Sequence, residues 1–452
     1  MRSPRARSSA VATLVAVLAL AACEPGDPGP EDAADEAEAP EQPQEDPAEP
    51  DAPAAPDDPE QAPLDPEDAP EGEDLDAEVA DQFAEIVEQV SELRGLPVEG
   101  EIPLEVVTAE ELVEIALADV EDELERFERT EAIAVALHQI PDDADLLELN
   151  EALLEAGAAG LYVPEDDQAY IVGDEGALSP LERVTVAHEV QHALQDQHID
   201  LGQLRELQDD PDAQLAFSSL IEGDAVMVQE QWAAEHLSQE EQQQRQAEEL
   251  EIGQEQAQDL QDLPPALLES FVAPYVAGPE LVGNLVQDGG VDAVDAALGS
   301  PPTTMVEVYD PSLYRQGLEP EPVELGEAPD GYEPLDAFPS GAFDVELLYD
   351  LADDAPTERT GRTAWRGGEL AAWRDGDDVT VAVGWTFVDD AAAEEVCDLV
   401  PAWHATVAGG EPTADDDVHE GPDDVLVVDC AGSTVRYAVA PDEEAARTAL
   451  GD

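Results

Sequence analysis

One stretch, SPLERVTVAHEVQHALQDQHID at residues 179–200, constrains the fold more than any other part of the chain. Ser179 supplies an N-cap, Pro180 stands at the first helical position, and Glu182 stands three residues after the cap. This pattern is a capping box, in which two side chains satisfy backbone N–H groups that a helix start leaves unpaired. The sequence therefore predicts a helix that begins near residue 180.

Two histidines one helical turn apart give this helix its chemistry. His188 and His192 are separated by four positions, and Glu189 lies beside them on the adjoining face. Residues four apart on a helix face the same way, so both imidazoles can reach a single cation. Two neutral imidazoles and a carboxylate suit zinc, which in catalytic sites takes three protein ligands and keeps one position for water. The pattern predicts a metal site that needs a third ligand.

One candidate for the third ligand is His198, which stands ten residues after His188. That spacing occurs in the metzincin pattern, where the helix breaks after the second histidine and a glycine makes the turn. Here Gln195 occupies the glycine position, inside a run of good helix-forming residues. If the helix continues, His198 lies about 9 Å along the axis from His192 and cannot reach the same ion. We therefore predict that His198 is structural or supports a ligand.

The second candidate is Glu222, thirty residues beyond His192 in the helical pattern AFSSLIEGDAVMVQEQW. Four of its neighbours are small, namely Ser218, Ser219, Gly223 and Ala225. Small residues let one helix approach another closely, which a ligand donated from a second helix requires. The alternative is an ordinary packing face that carries a surface Glu. Beside a His-Glu-x-x-His helix, we predict that Glu222 is the third ligand.

With these residues identified, the chain resembles a zinc metallopeptidase of the gluzincin type, in which a Glu from the next helix joins His-Glu-x-x-His. More narrowly, it is similar to a group of bacterial, often membrane-attached proteins that pair an HExxHALQDQH helix with a later EGDA helix. The resemblance covers most of the chain after residue 77. It extends to ELRGLP (92–97), GLYVPEDDQAYIV (160–172), GGVDAVDAALGSPPTTMVEVYDPSLY (289–314) and, loosely, WRGGELAAWRDGDDVTVAVGWTF (365–387).

The resemblance implies a mechanism of peptide hydrolysis. Zinc held by His188, His192 and Glu222 would polarise a peptide carbonyl and lower the pKa of a water molecule. Glu189, which should not bind zinc, would take the proton from that water and pass it to the leaving amine. Two alternatives keep the zinc: a catalytically silent binding or scaffolding lipoprotein, and an amidase that acts on cell-wall peptide. The intact Glu189 argues against the silent protein, because a pure binding site needs no carboxylate there.

Further site residues stay open at this point. Asp196 and Asp224 are candidates to orient an imidazole, although the simpler interpretation of each is an ordinary solvated acid. The donor that would stabilise a developing oxyanion is unassigned among Tyr275, Tyr309, Tyr314 and His236. The histidines without ligand spacing are interpreted as structural, and they are His138, His236, His404 and His419.

The first 22 residues have the organisation of an export signal. Arg2, Arg5 and Arg7 precede the apolar run AVATLVAVLALAA, which is too short for a permanent membrane span. The run ends in LAAC, and Cys23 resembles the lipid-modified cysteine of bacterial lipoproteins; an ordinary secretory cleavage is the alternative. The resemblance implies a mature N-terminus at Cys23 and a protein anchored by lipid to the extracytoplasmic face of the cell membrane.

Acidic residues dominate the whole chain. It has 112 acidic residues against 16 basic ones, all of them Arg, and a formal net charge of −96. Nucleic acid is excluded as a partner because no basic stripe could neutralise its phosphates. The expected partners are a peptide or protein substrate and, through the lipid, the membrane. Because the Debye length shrinks to about 3 Å near molar salt, such a surface is tolerated best in a salty habitat, and we expect a halophilic protein.

The predicted fold class is α+β. It comprises a mainly helical zincin-like metallopeptidase domain with a short edge hairpin, plus a small C-terminal α+β domain. A disordered, acidic and Pro-rich tether is expected at 23–76, after the signal peptide at 1–22. The metallopeptidase domain is expected at 77–318, a Pro- and Glu-rich linker at 319–340, and the small domain at 341–452.

Two local features complete the prediction. The hairpin GLYVPEDDQAYIVGD at 160–174 would present an edge strand along which an extended peptide could pair. Cys397 and Cys430 lie on the exported side, where a disulfide can persist, and they are predicted to form one; free thiols are the alternative.

Overall fold

The computed structural model describes residues 15–18, 77–118, 120–173, 176–353, 355–409 and 417–451. The predicted lipidation site Cys23, the predicted tether, and all of the predicted signal peptide except residues 15–18 lie outside the described residues. The described residues belong to one compact unit. None of the helices among them is long and apolar enough to cross a membrane.

Helices form most of the described chain before residue 317. They are α1 (Ala77–Arg94), α2 (Ala109–Ala116), α3 (Leu124–Ala136), α4 (Leu146–Gly157), α5 (Pro180–Ile199), α6 (Pro211–His236), α7 (Gln239–Asp259), α8 (Pro265–Gly289), α9 (Val291–Leu298), α10 (Met305–Tyr309) and α11 (Pro311–Gln316). The predicted capping box of α5 is confirmed. Ser179 Oγ accepts the N–H of Glu182 at 3.2 Å, and the Glu182 carboxylate accepts the N–H of Ser179 at 2.6 Å.

A four-stranded sheet packs beside α5. Its strands are, in spatial order, β1 (Val15–Leu18), β3 (Ala158–Val163), β4 (Gln168–Val172) and β2 (Leu104–Val107). β3 and β4 are antiparallel and form the predicted hairpin, while β2 runs parallel to β4. β1 runs antiparallel to β3. The hairpin strand that we predicted to be a free edge is therefore paired, and the segment that pairs with it lies inside the predicted export signal.

A six-stranded antiparallel sheet forms the centre of the C-terminal part. Its strands are, in spatial order, β5 (Glu333–Phe338), β6 (Trp365–Asp375), β7 (Asp378–Phe387), β10 (Thr434–Ala440), β9 (Val425–Ala431) and β8 (Val418–Glu420). The helices of this part are α12 (Ala342–Leu351), α13 (Thr360–Ala364), α14 (Asp390–Ala408) and α15 (Glu443–Leu450). A disulfide joins Cys397 of α14 to Cys430 of β9. The predicted α+β class is confirmed, although the predicted linker at 319–340 contains strand β5.

One apolar core runs through the helical part and the C-terminal part. Leu220 of α6 and Leu281 of α8 belong to the same buried cluster as Val383 and Trp385 of β7. Removing this apolar surface from water is the main force that holds the two parts together. The domain boundaries at 77–318 and 341–452 stay predictions, and the structure adds that the residues on both sides share a core.

Helices α6 and α8 touch at the backbone. A Cβ on Gly223 would lie 2.3 Å from the carbonyl carbon of Gly278, and a Cβ on Gly278 would lie 2.1 Å from the carbonyl oxygen of Ser219. Glycine is therefore required at both positions. The small residues around Glu222 do indicate a close helix contact, but they serve the packing of α8 against α6. This contact brings the middle of α8 next to the predicted metal site.

Candidate metal centre

Helix α5 presents its histidines to the protein interior. Every residue of the helix from 184 to 195 is buried, and His188, Glu189 and His192 each have 0% exposed surface. The two imidazole rings lie 4.5 Å apart, measured between centroids, at an interplanar angle of 73°. Polar side chains this deeply buried need hydrogen-bond partners or a bound ion, because their desolvation is otherwise uncompensated.

Glu222 of α6 meets both imidazoles. Its Oε2 lies 3.1 Å from His188 Nε2 and 3.6 Å from His192 Nε2, and the residue is only 3% exposed. One ligand atom from each of the three residues lies within 4.8 Å of the other two. The structure therefore brings together the three residues that the sequence predicts as ligands.

One unsatisfied atom of this triad fits a cation. His192 Nε2 is buried and has no hydrogen-bond partner among the described residues, because 3.6 Å is too long for a hydrogen bond to Glu222. A ring nitrogen aimed at a carboxylate from this distance suits an ion between the two groups. Two imidazole nitrogens and one carboxylate oxygen form a donor set that zinc prefers.

Glutamines hold the other nitrogen of each ring. His188 Nδ1 lies 2.6 Å from Gln229 Oε1, and His192 Nδ1 lies 2.9 Å from Gln195 Oε1. The amide nitrogen of Gln195 donates to Asp224 and to a backbone carbonyl of α6, so its oxygen faces the ring. An amide oxygen can only accept, and it fixes the proton on Nδ1. Nε2 is thereby left with a lone pair for a cation.

Asp224 anchors these supporting contacts. It is fully buried and accepts hydrogen bonds from Gln195 Nε2 at 3.0 Å, from Gln191 Nε2 at 2.7 Å and from Arg94 Nε at 2.8 Å. Several donors are needed to compensate a carboxylate that is shielded from water. The sequence raised Asp224 as a residue that could orient an imidazole. The structure shows that Asp224 orients His192 indirectly: it accepts a hydrogen bond from Gln195, and the Gln195 side chain contacts the His192 ring.

The pKa shifts of His188 and Glu222 favour the forms of these two side chains that bind a divalent metal. Burial lowers the pKa of His188, and the neighbouring His192 lowers it further. Burial alone would raise the pKa of Glu222, but His192 and His188 outweigh that effect and lower it to about 2. Neutral imidazole and ionised carboxylate are the forms in which these side chains bind a metal.

Glu189 lies beside the triad without joining it. Neither of its carboxylate oxygens has a hydrogen-bond partner among the described residues. Burial, and secondly the charge of Glu222, raise its pKa well above the usual value. Strand β3 passes close to this carboxylate, since a Cβ on Gly160 would lie 2.5 Å from Glu189 Oε1. A buried carboxyl with free oxygens and a raised pKa has the properties of a general base.

Tyr275 of α8 is the one oxyanion candidate that the structure brings to the site. Burial, together with the charges of Glu222 and Glu189, raises the pKa of its hydroxyl well above the usual value, so the side chain lies close to both carboxylates. The other three candidates have partners elsewhere: the Tyr314 hydroxyl donates to the Ser300 carbonyl, the Tyr309 ring contacts Arg362, and His236 stacks on Trp232. No signal in the sequence could have separated the four, because Tyr275 reaches the site only through the contact of α6 with α8.

His198 and Asp196 lie away from the triad. Helix α5 continues past His198, as predicted, and His198 Nε2 lies 3.0 Å from the carbonyl oxygen of Pro97. Asp196 accepts a hydrogen bond from the Tyr162 hydroxyl of β3 at 3.0 Å. His198 therefore ties α5 to the segment after α1, and Asp196 ties α5 to the sheet.

Three supporting residues were absent from the sequence-based site. Gln195 lies three residues after His192, a spacing that places both on one helix face, so this partner could have been predicted. Gln229 lies seven residues, or about two turns, after Glu222 and shares its face of α6 for the same reason. Arg94 carried no such signal, because it reaches Asp224 from a different helix.

The chain was compared with protein-family models, with curated proteins and with solved structures, and none of these comparisons found a match. The resemblance to gluzincin-type peptidases therefore depends on the sequence motifs, and the chemistry of the site depends on the contacts described above.

Proposed function

We propose that the protein is a zinc-dependent peptidase of the gluzincin type. The observation that carries the proposal is the buried triad of His188, His192 and Glu222 with the unpartnered carboxylate of Glu189 beside it. The third ligand comes from the next long helix, which is the gluzincin arrangement. A helical site flanked by a small sheet also agrees with a zincin-like fold, which is part of the same proposal.

Each residue of the site has one role in the proposed reaction. When bound, zinc would polarise a peptide carbonyl and lower the pKa of a water molecule. His188 and His192 of α5 and Glu222 of α6 would hold the ion. Glu189 accepts a proton from the water that attacks the carbonyl carbon, and it delivers this proton to the nitrogen of the leaving amine as the C–N bond breaks.

Tyr275 is proposed to donate a hydrogen bond to the oxyanion that develops on the carbonyl oxygen. Tyr275→Phe removes only the hydroxyl, and we expect kcat to fall about 100-fold with little change in KM, because such a donor acts mainly in the transition state. Zinc content should be unchanged, and it is measured on the same samples because Tyr275 lies close enough to Glu222 for the charge of that carboxylate to raise its pKa. Tyr314→Phe is the matched control, since that hydroxyl binds the Ser300 carbonyl. Equal losses in both variants would contradict the assignment.

The pairing of β1 with β3 supports a binding mode for an extended peptide. Val17 of β1 lies opposite Gly160 of β3. Gly160 packs directly against the Glu189 carboxylate, which occupies the space that a side chain at position 160 would need. An extended segment on this side of β3 therefore lies near the proposed base. We propose that a substrate peptide adds to β3 in the same antiparallel sense, once export has removed the signal segment.

The location of the enzyme is proposed from its N-terminal sequence. The run that ends in LAAC suits lipid attachment at Cys23, and the acidic segment 23–76 suits a tether between the membrane and the folded part. The protein would then act on peptides or proteins outside the cytoplasm, at the membrane surface.

Thermal stability is expected to rise with salt. The net charge of −96 produces self-repulsion that counterions screen, and the Debye length falls from about 10 Å at 0.1 M to about 3 Å at 1 M. We expect Tm, measured by circular dichroism, to increase by roughly 5–10 °C between 0.1 M and 2 M NaCl, or a few kcal/mol of unfolding free energy. Sucrose at equal osmolality is the control for general exclusion effects. A Tm that does not change with NaCl would rule out a halophilic protein.

A peptide-library digest tests the proposed function against its alternatives. Purified protein is incubated in high salt with a mixture of peptides, with and without a chelator, and the new termini are identified by mass spectrometry. Cleavage that the chelator stops and added zinc restores is the expected result. A protein that binds zinc and cleaves neither peptides nor cell-wall fragments would be the silent lipoprotein, whereas cleavage of cell-wall fragments alone would identify the amidase.

A further inference from the structure

A second cluster of ligand-type side chains joins the helical part to the C-terminal part. His138 follows α3, His404 lies in α14, and Asp424 lies just before β9. His138 Nε2 is 2.7 Å from Asp424 Oδ2, and His404 Nε2 is 3.1 Å from Asp424 Oδ1 and 3.3 Å from Oδ2. From the sequence alone, both histidines are interpreted as structural because neither has ligand spacing. The fold brings both rings to one carboxylate.

The backbone around this cluster is shaped to hold it. A Cβ on Gly421 would lie 2.1 Å from Asp424 Oδ1 and 3.4 Å from His404 Cε1, so a side chain there would displace the carboxylate. The N–H of Gly421 donates to the Asp424 carbonyl at 3.0 Å and closes the turn. His138 has a positive φ of 52°, a conformation that few residues other than glycine adopt. The close approach of Gly421 and its hydrogen bond fix the position of Asp424. The positive φ of His138 is an uncommon backbone conformation at a residue whose ring contacts Asp424.

This cluster repeats the arrangement of the first centre. In both, two imidazole Nε2 atoms converge on one carboxylate, and one ligand atom from each residue lies within 4.8 Å of the other two. Ligand atoms about 2.0–2.1 Å from a tetrahedral zinc ion are separated from one another by about 3.3 Å. The His–Asp separations are 2.7–3.3 Å, and one ring nitrogen of each histidine lies within 4.8 Å of the other, so small movements of the three side chains would admit an ion.

We propose that His138, His404 and Asp424 form a second zinc site, distinct from the triad on α5 and α6. The side chains of His138 and Asp424 are 24% and 13% exposed, so the ion can enter from solvent, while His404 is 2% exposed. Three protein ligands leave a fourth position for water. The ion would link the end of α3 to α14 and to the turn before β9. Its role would be structural, because it would join the helical part to the C-terminal part.

The competing explanation is a set of hydrogen bonds without metal, in which both rings donate Nε2–H to Asp424. Burial alone would raise the pKa of Asp424, but His138 and His404 outweigh it and lower the pKa, so the carboxylate is ionised at neutral pH. An ionised carboxylate suits both explanations. They differ in their response to metal, because only a zinc site binds a stoichiometric ion and gains stability from it.

Cobalt titration of a variant that lacks the α5 and α6 triad distinguishes the zinc site from the hydrogen bonds without metal. His188→Ala/Glu222→Ala removes two ligands of the α5 and α6 triad, so the outcome does not depend on the proposed peptidase activity. We expect this protein, stripped of metal and kept in 2 M NaCl to suppress binding to its acidic surface, to take up one equivalent of Co²⁺ with visible d–d absorption. Zn²⁺ should displace the cobalt and raise Tm by a few degrees.

Asp424→Asn in the same background should abolish the saturable equivalent and the gain in Tm. Asp423→Asn is the matched control, because it removes the same charge from the neighbouring exposed residue. If Asp424→Asn does not fold, His138→Asn replaces it, since Asn tolerates a positive φ and removes the imidazole. The proposal is overturned if the background variant binds no stoichiometric cobalt, or if binding is the same in the variants of residues 424 and 423.

Discussion

Replacing Glu189 with Gln should abolish peptide hydrolysis while zinc stays bound. The amide keeps the shape of the side chain but cannot accept a proton at neutral pH, and general-base catalysis contributes roughly 10²–10⁴-fold. We expect kcat to fall by about 10³-fold or more with little change in KM. Initial rates on a peptide from the library digest give the kinetic constants, and elemental analysis of the same sample gives the zinc content.

The surroundings of Glu189 predict a second effect of this substitution. Its two carboxylate oxygens are buried without hydrogen-bond partners, so an ionised side chain is unfavourable for the folded state. Glu189→Gln should therefore unfold at an equal or higher temperature than the natural protein, as happens when a functional residue is also a destabilising one. Glu235→Gln, an exposed position on α6, is the control and should keep full activity. A Glu189→Gln variant that retained a tenth of the activity would disprove the proposed role.

Much of the fold could be predicted from local signals in the sequence. The capping box at Ser179 and Glu182 sets the start of α5, and the apolar runs that flank a polar, Pro-containing turn identify the hairpin of β3 and β4. These signals are reliable because each depends on a few neighbouring residues. The linker prediction at 319–340 was incomplete for the same reason. Strand β5 (EPLDAF) pairs with β6, and the Glu, Pro and Asp among its six residues hide this pairing from a prediction based on composition.

The residues of the candidate site also differ in whether local sequence signals predict them. His188, Glu189 and His192 follow from one helical turn, and Glu222 follows from a motif on the next long helix. Tyr275 was one of four candidates for the oxyanion donor, and the sequence could not select it, because its place depends on the glycines that let α6 and α8 touch.

The cluster at His138, His404 and Asp424 could not be predicted either, since 266 residues separate the two histidines. Long-range convergence of this kind is a property of the packed structure, and it leaves no spacing rule in the sequence.

Removal of Glu222 should cost the protein the zinc ion of the first centre, whereas removal of His198 should not. Glu222 Oε2 lies 3.1 Å from His188 Nε2 and 3.6 Å from His192 Nε2, while His198 contacts the carbonyl of Pro97. We expect Glu222→Ala to lose one equivalent of zinc and all measurable hydrolysis. His198→Ala should keep both and lose about 1 kcal/mol of stability through its missing hydrogen bond.

Elemental analysis after gel filtration, together with the peptide assay and thermal melts, distinguishes these outcomes. Asp224→Asn adds an intermediate case. It keeps all three ligands but weakens the support that Gln195 gives to His192, so zinc affinity should fall by roughly 10–100-fold without complete loss. If His198→Ala lost its zinc and Glu222→Ala kept it, the third ligand would have to come from the end of α5, and the helix would have to break after His192 to bring it there.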